Sequence, residues 1–145
     1  MNSRTHKILL KNDNTMETRK PIDFNYKTAL QEVHNFAADA TRYGFNFSVD
    51  ESIQDASFFS DVFDPVGIRV RFSSFGRLVC IFNGNVRKYS SQDFPQEIIG
   101  LLYEHRFVVI RPEELVASAY EGRHPSFQNN DLWNHAWFIR FFDYL

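Results

Sequence analysis

The chain has one cysteine, Cys80, among its 145 residues. An intramolecular disulfide and a CxxC redox or zinc pair are therefore excluded, and a reducing, cytoplasmic location is expected. Glycine is also scarce, with six in the chain. No GxxxxGK[ST], GxGxxG or GxSxG pattern occurs, so neither a phosphate-cradling loop nor a nucleophile elbow has support. Long apolar runs are missing near the N-terminus. Ile8, Leu9 and Leu10 are too few for a secretory leader or a membrane span, so export and membrane insertion are not expected.

Charge of one sign is lacking too. Sixteen Lys and Arg against eighteen Asp and Glu leave a formal charge of −2, which gives no global attraction to nucleic acid or an anionic membrane. Such binding would have to be local, and direct nucleic-acid binding is not expected. The five histidines, His6, His34, His105, His124 and His135, stand in no HxH or HExxH spacing, so no metal site is expected. The pairs Glu32 with His34 and Glu104 with His105 are too close along a helix to face each other for acid–base work. Cys80 lies in the apolar run Leu78–Phe82, where burial keeps a thiol protonated. No catalytic residue, cofactor or enzymatic activity is expected from these patterns.

What is abundant is phenylalanine, sixteen residues in a chain that is 43% hydrophobic and 23% charged. One domain with an aromatic core follows. Residues 1–20 are polar and mixed in charge, which suggests a loosely held extension or an edge strand, with the domain proper over 21–145. Asn25 or Thr28 can cap a helix reaching about Tyr43, stopped by Gly44, with Leu30, Val33, Phe36, Ala37 and Ala40 on one face. The period then drops to two. Phe45, Phe47 and Val49, and later Ile68, Val70 and Phe72, alternate with polar residues as half-buried strands do.

Ser57 to Phe63 and Leu78 to Phe82 add further strands. Asn83-Gly84 suits a type I′ hairpin into a strand over Val86 to Tyr89. Asp93 can cap a short helix carrying Ile98, Ile99 and Leu102, and Phe107 to Ile110 reads as one more strand. Residues 112–122 are ambiguous, and 123–130 read as a polar loop. Trp133, Trp137, Phe141 and Leu145 recur every four residues from Asp131, as a docked aromatic helix requires. Phe138, Phe142 and Tyr144 fall off that stripe and would be interface anchors if exposed. The expected fold is α+β, an antiparallel sheet of about five strands with helices packed against it.

Charge order is more informative than charge total. Asp50, Glu51, Asp55, Asp61 and Asp64 fall between Gly44 and Ile68 without a Lys or Arg, and Arg69, Arg71, Arg77, Arg87 and Lys88 follow without an acid. Neighbouring strands pairing opposite charges account for this blandly, each pair contributing roughly 0.2–1 kcal/mol. An acidic patch presented to a basic partner accounts for it functionally, through steering and exclusion of wrong partners. A calcium loop over Asp50 to Asp55 lacks the D-x-[DN]-x-[DN]-G arrangement. Base stacking by Phe72, Phe75 and Tyr89 beside the basic stretch conflicts with an inward-facing Phe72.

Tyr103-Glu104-His105-Arg106-Phe107-Val108-Val109-Ile110, then Pro112-Glu113-Glu114-Leu115, Tyr120-Glu121-Gly122 and the ending Trp137 to Leu145, together resemble small bacterial immunity proteins of contact-dependent growth inhibition and polymorphic toxin systems. The resemblance spans about a third of the chain. It implies a protein that binds and blocks a cognate toxin domain in the cytosol, usually without catalysing anything. Asp50, Glu51, Asp55, Asp61 and Asp64, with Glu113, Glu114, Tyr120 and Glu121, are the candidate contact residues. Competing readings are a small enzyme or ligand-binding domain with an aromatic pocket served by Tyr89, Tyr103, Tyr120 or a histidine, and a subunit that self-associates through its aromatic helix.

Overall fold

The computed structural model describes residues 3–117, 119–128 and 135–143. Helix α1 covers Ser3–Asn12 and α2 covers Tyr26–Ala40, and strands β1 (Ser48–Asp50), β2 (Phe58–Phe63), β3 (Ile68–Ser73) and β4 (Leu78–Asn83) follow. After them come α3 (Gln96–Glu104), β5 (Val108–Ile110), α4 (Pro112–Val116) and α5 (Ala136–Phe142). The five strands form one sheet in chain order. β1 to β4 are an antiparallel meander, whereas β5 runs parallel to β4, reached through α3. The fold is α+β with a mixed, mostly antiparallel sheet.

Helices cover both faces of this sheet. Val79 and Ile81 of β4 join Val70 and Phe72 of β3 in a core with Val33, Phe36, Ile98 and Leu102 of α2 and α3. Leu78, Cys80 and Phe82 point the other way, into a second core with Leu9, Leu115, Trp137, Phe138, Phe141 and Phe142. That two-sided burial is why β4 reads as an unbroken apolar run, while β3 alternates between apolar and arginine. Phe36 and Phe72 sit 6.0 Å apart, and Phe72 meets Phe107 edge-on at 5.0 Å. Interlocked rings of this kind leave large voids when truncated.

The helix after residue 25 forms as expected. Asn25 is its cap, its side chain accepting from the Thr28 N–H at 3.1 Å, and Gly44 ends the following 3-10 turn with φ 86°. Three expectations need correction. No edge strand forms in the described part of residues 1–20: Ser3–Asn12 is α1, which packs Thr5 and Leu9 inward, both buried. The Asn83-Gly84 hairpin does not form, because β5 occupies the edge of β4 that a returning strand would need. Gly84 instead donates to the Gly67 carbonyl at 2.8 Å, and Val86–Lys88 is a 3-10 turn. Asp93 does not cap α3; the capping position is Pro95, with Asp93 in left-handed backbone at φ 59°.

At the C-terminus, Trp137 and Phe141 are fully buried, as a core stripe requires, and Phe138 and Phe142 are buried with them. The anchor reading of those last two is therefore withdrawn. Trp133, Tyr144 and Leu145 lie outside the described residues. The segment after residue 122 is not simply a polar loop either, since His124 and Phe127 are buried. Replacing Phe72 by Ala is expected to lower the unfolding free energy by about 3–5 kcal/mol, measured by denaturant titration. Phe72→Leu should cost less than half as much.

Candidate functional site

The acidic segment is divided by the fold. Asp61 lies opposite Arg71 in the β2–β3 ladder. Its Oδ1 accepts from Arg71 Nε at 2.9 Å, and its Oδ2 accepts from Arg71 Nη2 at 3.0 Å and Arg69 Nη1 at 2.7 Å. Arg71 also donates to the Phe142 carbonyl at 2.9 Å and lies over the Phe58 ring at 3.8 Å. With its side chain 3% exposed, Asp61 is an internal strut and is removed from the candidate contact residues. Asp64 is engaged in the β2–β3 turn, where its carboxylate accepts from the Val66 and Ile68 N–H groups at 3.0 and 2.8 Å. The bland pairing of adjacent opposite charges thus accounts for Asp61, Arg69 and Arg71.

Asp50 is half-buried and turned back on its own loop. Its carboxyl is held below the usual carboxylate range first by the Ser52 N–H and then by the Ser52 hydroxyl, against burial, with Arg69 and Arg71 adding a smaller attraction. Glu51 and Asp55 remain exposed. Glu51 meets His34 from α2, and Asp55 meets Arg19, both as solvent-facing ion pairs. Exposed pairs of this kind contribute about 0–1 kcal/mol and exchange readily for other partners. Arg19, Asp55, Phe24, Tyr26, Ile53 and Phe59 line a cleft of about 200 Å³. Tyr26 stands at its edge, 41% exposed, its hydroxyl donating to the Glu51 carbonyl at 3.2 Å. An apolar floor with charged edges is the anatomy of a protein-contact patch.

The other candidate cluster, from Glu113 to Glu121, is scattered by the fold. Glu113 accepts from the Ser91 hydroxyl at 2.9 Å and Glu114 from the Thr5 hydroxyl at 3.1 Å, so both tie elements together. Glu121 is exposed and pairs with His6 at 3.3 Å. Tyr120 belongs to a buried network that the spacing of charges in the sequence does not reveal. Its hydroxyl donates to Asp13 Oδ2 at 2.6 Å and accepts from the His124 N–H at 3.0 Å. Asp13 Oδ2 also accepts from the Arg123 N–H at 2.9 Å, and Oδ1 accepts from Arg140 Nε at 2.7 Å.

Arg140 has no solvent exposure, and its Nη2 donates to the Thr15 carbonyl at 3.1 Å. His124 is saturated in the same way. The Ser126 N–H donates to its Nδ1 at 3.1 Å, which leaves the proton on Nε2 to bond the Met16 carbonyl at 2.8 Å. A Cβ on Gly122 would fall 1.9 Å from Asp13 Oδ2, so glycine is required there for the backbone to approach. A hollow of about 350 Å³ adjoins the network, lined by Leu10, Asn14, Met16, Arg123 and His124 among others. Asp13, Tyr120 and His124 spend their polar atoms on internal bonds, which makes this constellation a joint rather than an acid–base centre.

Besides His6 with Glu121, two more histidine–carboxylate contacts escape a local reading of the sequence, because each joins separate elements. His34 meets Glu51, and His105 Nε2 lies 2.6 Å from Asp39 Oδ2, linking α3 to α2. Cys80 is fully buried, and burial pushes its thiol well above its ordinary value. No cluster of three or more His, Cys, Asp or Glu suited to a metal occurs among the described residues. None of their helices is long and apolar enough to cross a membrane. Neither a protein-family model, a curated protein nor a solved structure matches the chain.

Burial, and next the bond to Asp13, push the Tyr120 phenol far above its ordinary value of 10. An unfolded chain loses this proton near pH 10 while the native state keeps it. The stability linked to it is therefore fully present below about pH 10 and lost as pH rises through the native value. Tyr89, raised mainly by burial, contributes with the same sign. Denaturation midpoints should fall as pH rises above about 10, and Tyr120→Phe should flatten that decline while costing about 1–2 kcal/mol at pH 7. Asp61→Ala should cost about 3–5 kcal/mol by leaving Arg71 without its carboxylate, again read from denaturant titration.

Proposed function

We propose that this chain is an immunity-type protein that binds a cognate bacterial toxin domain and blocks it by steric and electrostatic occlusion, without catalysis or a cofactor. The supporting observation is that Glu51 and Asp55 stay exposed, held only in solvent-facing pairs with His34 and Arg19, beside a cleft edged by Tyr26 with Phe24, Ile53 and Phe59 in its wall and Lys20 on its rim. Tyrosine beside a desolvatable cleft is a common binding hot spot, and a carboxylate rim selects a basic partner. The partner chemistry that fits is a cationic active-site surface, of the kind a nuclease uses to receive phosphates. Occupation of that surface by carboxylates excludes the nucleic acid directly.

The alternative, a small enzyme or ligand-binding domain, loses support from the saturated bonding of Tyr120 and His124 beside the hollow of about 350 Å³. In the C-terminal third, whose segments resemble immunity proteins, Glu113 and Glu114 are tied to Ser91 and Thr5, and Glu121 stays exposed.

The test is copurification with candidate toxin domains encoded in neighbouring genes, followed by calorimetric titration of variants. Glu51→Lys with Asp55→Lys is expected to weaken binding at least about tenfold, mainly through slower association at low salt. Tyr26→Ala should cost about tenfold through faster dissociation. Both variants should keep the parent denaturation midpoint within about 0.5 kcal/mol. Unchanged affinity would remove this surface from the proposal, and failure of the chain to protect cells expressing the toxin would remove the function.

A further inference from the structure

The overall charge of −2 conceals a strongly cationic stretch. Arg4, Lys7 and Lys11 are exposed on α1 at spacings of three and four, so they form a stripe along the face opposite the buried Leu9. The stripe extends about 10 Å along the helix axis. None of the three forms an ion pair among the described residues. Of the acids nearby, Asp13 is buried against Arg140 and Glu114 is bonded to Thr5, while Glu121 stays exposed beside His6 on the flank of the helix. Glu17 and Asp23 are the exposed acids of residues 3–23.

Aliphatic side chains project from the same region. Ile22 is 91% exposed, Met16 67% and Leu10 38%. Lys11 and Ile22 line one hollow of about 410 Å³, Leu10 and Met16 line the neighbouring one, and the two hollows share Asn14 and Thr15. Lys11, at the C-terminal end of the cationic stripe, therefore adjoins the aliphatic tips, on the connection between α1 and α2. Isolated exposed apolar residues are ordinary; three of them gathered beside a row of unpaired cations are a combination with a specific complement.

We propose that this surface makes peripheral contact with an anionic phospholipid bilayer, Arg4, Lys7 and Lys11 lying over the headgroups while Met16 and Ile22 enter the interfacial region. Cations near such a surface each add a severalfold gain in affinity, and the effect is local, independent of the protein's total charge. The aliphatic character of the tips favours lipid over nucleic acid, whose bases are bound by stacking on aromatic rings. It also favours lipid over a protein partner, where tyrosine, tryptophan and arginine are the usual anchors. The inference goes beyond toxin binding and uses none of Glu51, Asp55 or Tyr26.

Cosedimentation of the full chain with vesicles tests it. Vesicles of phosphatidylcholine and phosphatidylserine at 7:3 should carry the protein down at low salt, and pure phosphatidylcholine vesicles should not. Lys7→Glu with Lys11→Glu should weaken vesicle binding more than about tenfold. Met16→Ser with Ile22→Ser should weaken it at 0.3 M salt, where the electrostatic part is screened, while both variants keep the parent circular dichroism and toxin affinity. Absence of binding to the anionic vesicles would overturn the proposal. So would binding that these substitutions leave unchanged, or tighter binding to a duplex DNA oligonucleotide than to the vesicles in the same buffer.

Discussion

A fully buried ion pair joins the two ends of this chain. Arg140 on α5 and Asp13 just after α1 meet at 2.7 Å with almost no solvent on either side chain. Taking both charges out of water costs several kcal/mol each, and the cost is offset only where the geometry and further hydrogen bonds are good. Here the carboxylate is supplied with donors on both oxygens by Arg140, Tyr120 and the Arg123 backbone. The guanidinium is packed against Phe75, Phe127 and Phe141, with ring centroids 4.3 to 5.6 Å away. Its Nη1 has no hydrogen-bond partner among the described residues, where the aromatic faces stabilise that edge.

That arrangement orders the whole face of the sheet that α1, α4 and α5 cover. α1 is too short to be stable alone, and its main apolar anchor is Leu9. Held by Asp13, the N-terminal segment closes the second core over Leu78, Cys80 and Phe82, and its polar side is turned outward with the cations exposed. On the same face of the sheet, Asp61 does the equivalent work for β2 and β3 by taking up Arg69 and Arg71. With both buried carboxylates assigned to arginines, the exposed charges include a cationic stretch on α1 and the carboxylates Glu51 and Asp55 at the β1–β2 connection.

Elements with a local signal were legible in the sequence. β2, β3 and β4 follow from alternation and apolar runs, and α2 from its cap, its period and Gly44. What was not legible depends on partners distant in the chain. Asp13 finds Arg140 across 127 residues, so nothing in residues 1–20 marks them as part of the core. The parallel β5 displaces a hairpin that Asn83-Gly84 suits perfectly well on local grounds, because a sheet edge can accept one strand. The acidic run illustrates both cases at once. Its pairing with β3 follows from adjacency, but which carboxylates stay available, Glu51 and Asp55 rather than Asp61 and Asp64, depends on the ladder register and turn geometry.

The central physical claim is that Asp13 and Arg140 act as one unit, and a double-mutant cycle measures it directly. Denaturant unfolding of Asp13→Leu, Arg140→Met and the combined variant gives the coupling energy between the two side chains. Each single change should cost about 3–5 kcal/mol by stranding a buried charge, and the combination should recover at least about 2 kcal/mol of their sum. Costs that simply add, or single changes that each cost less than about 1 kcal/mol, would contradict the account.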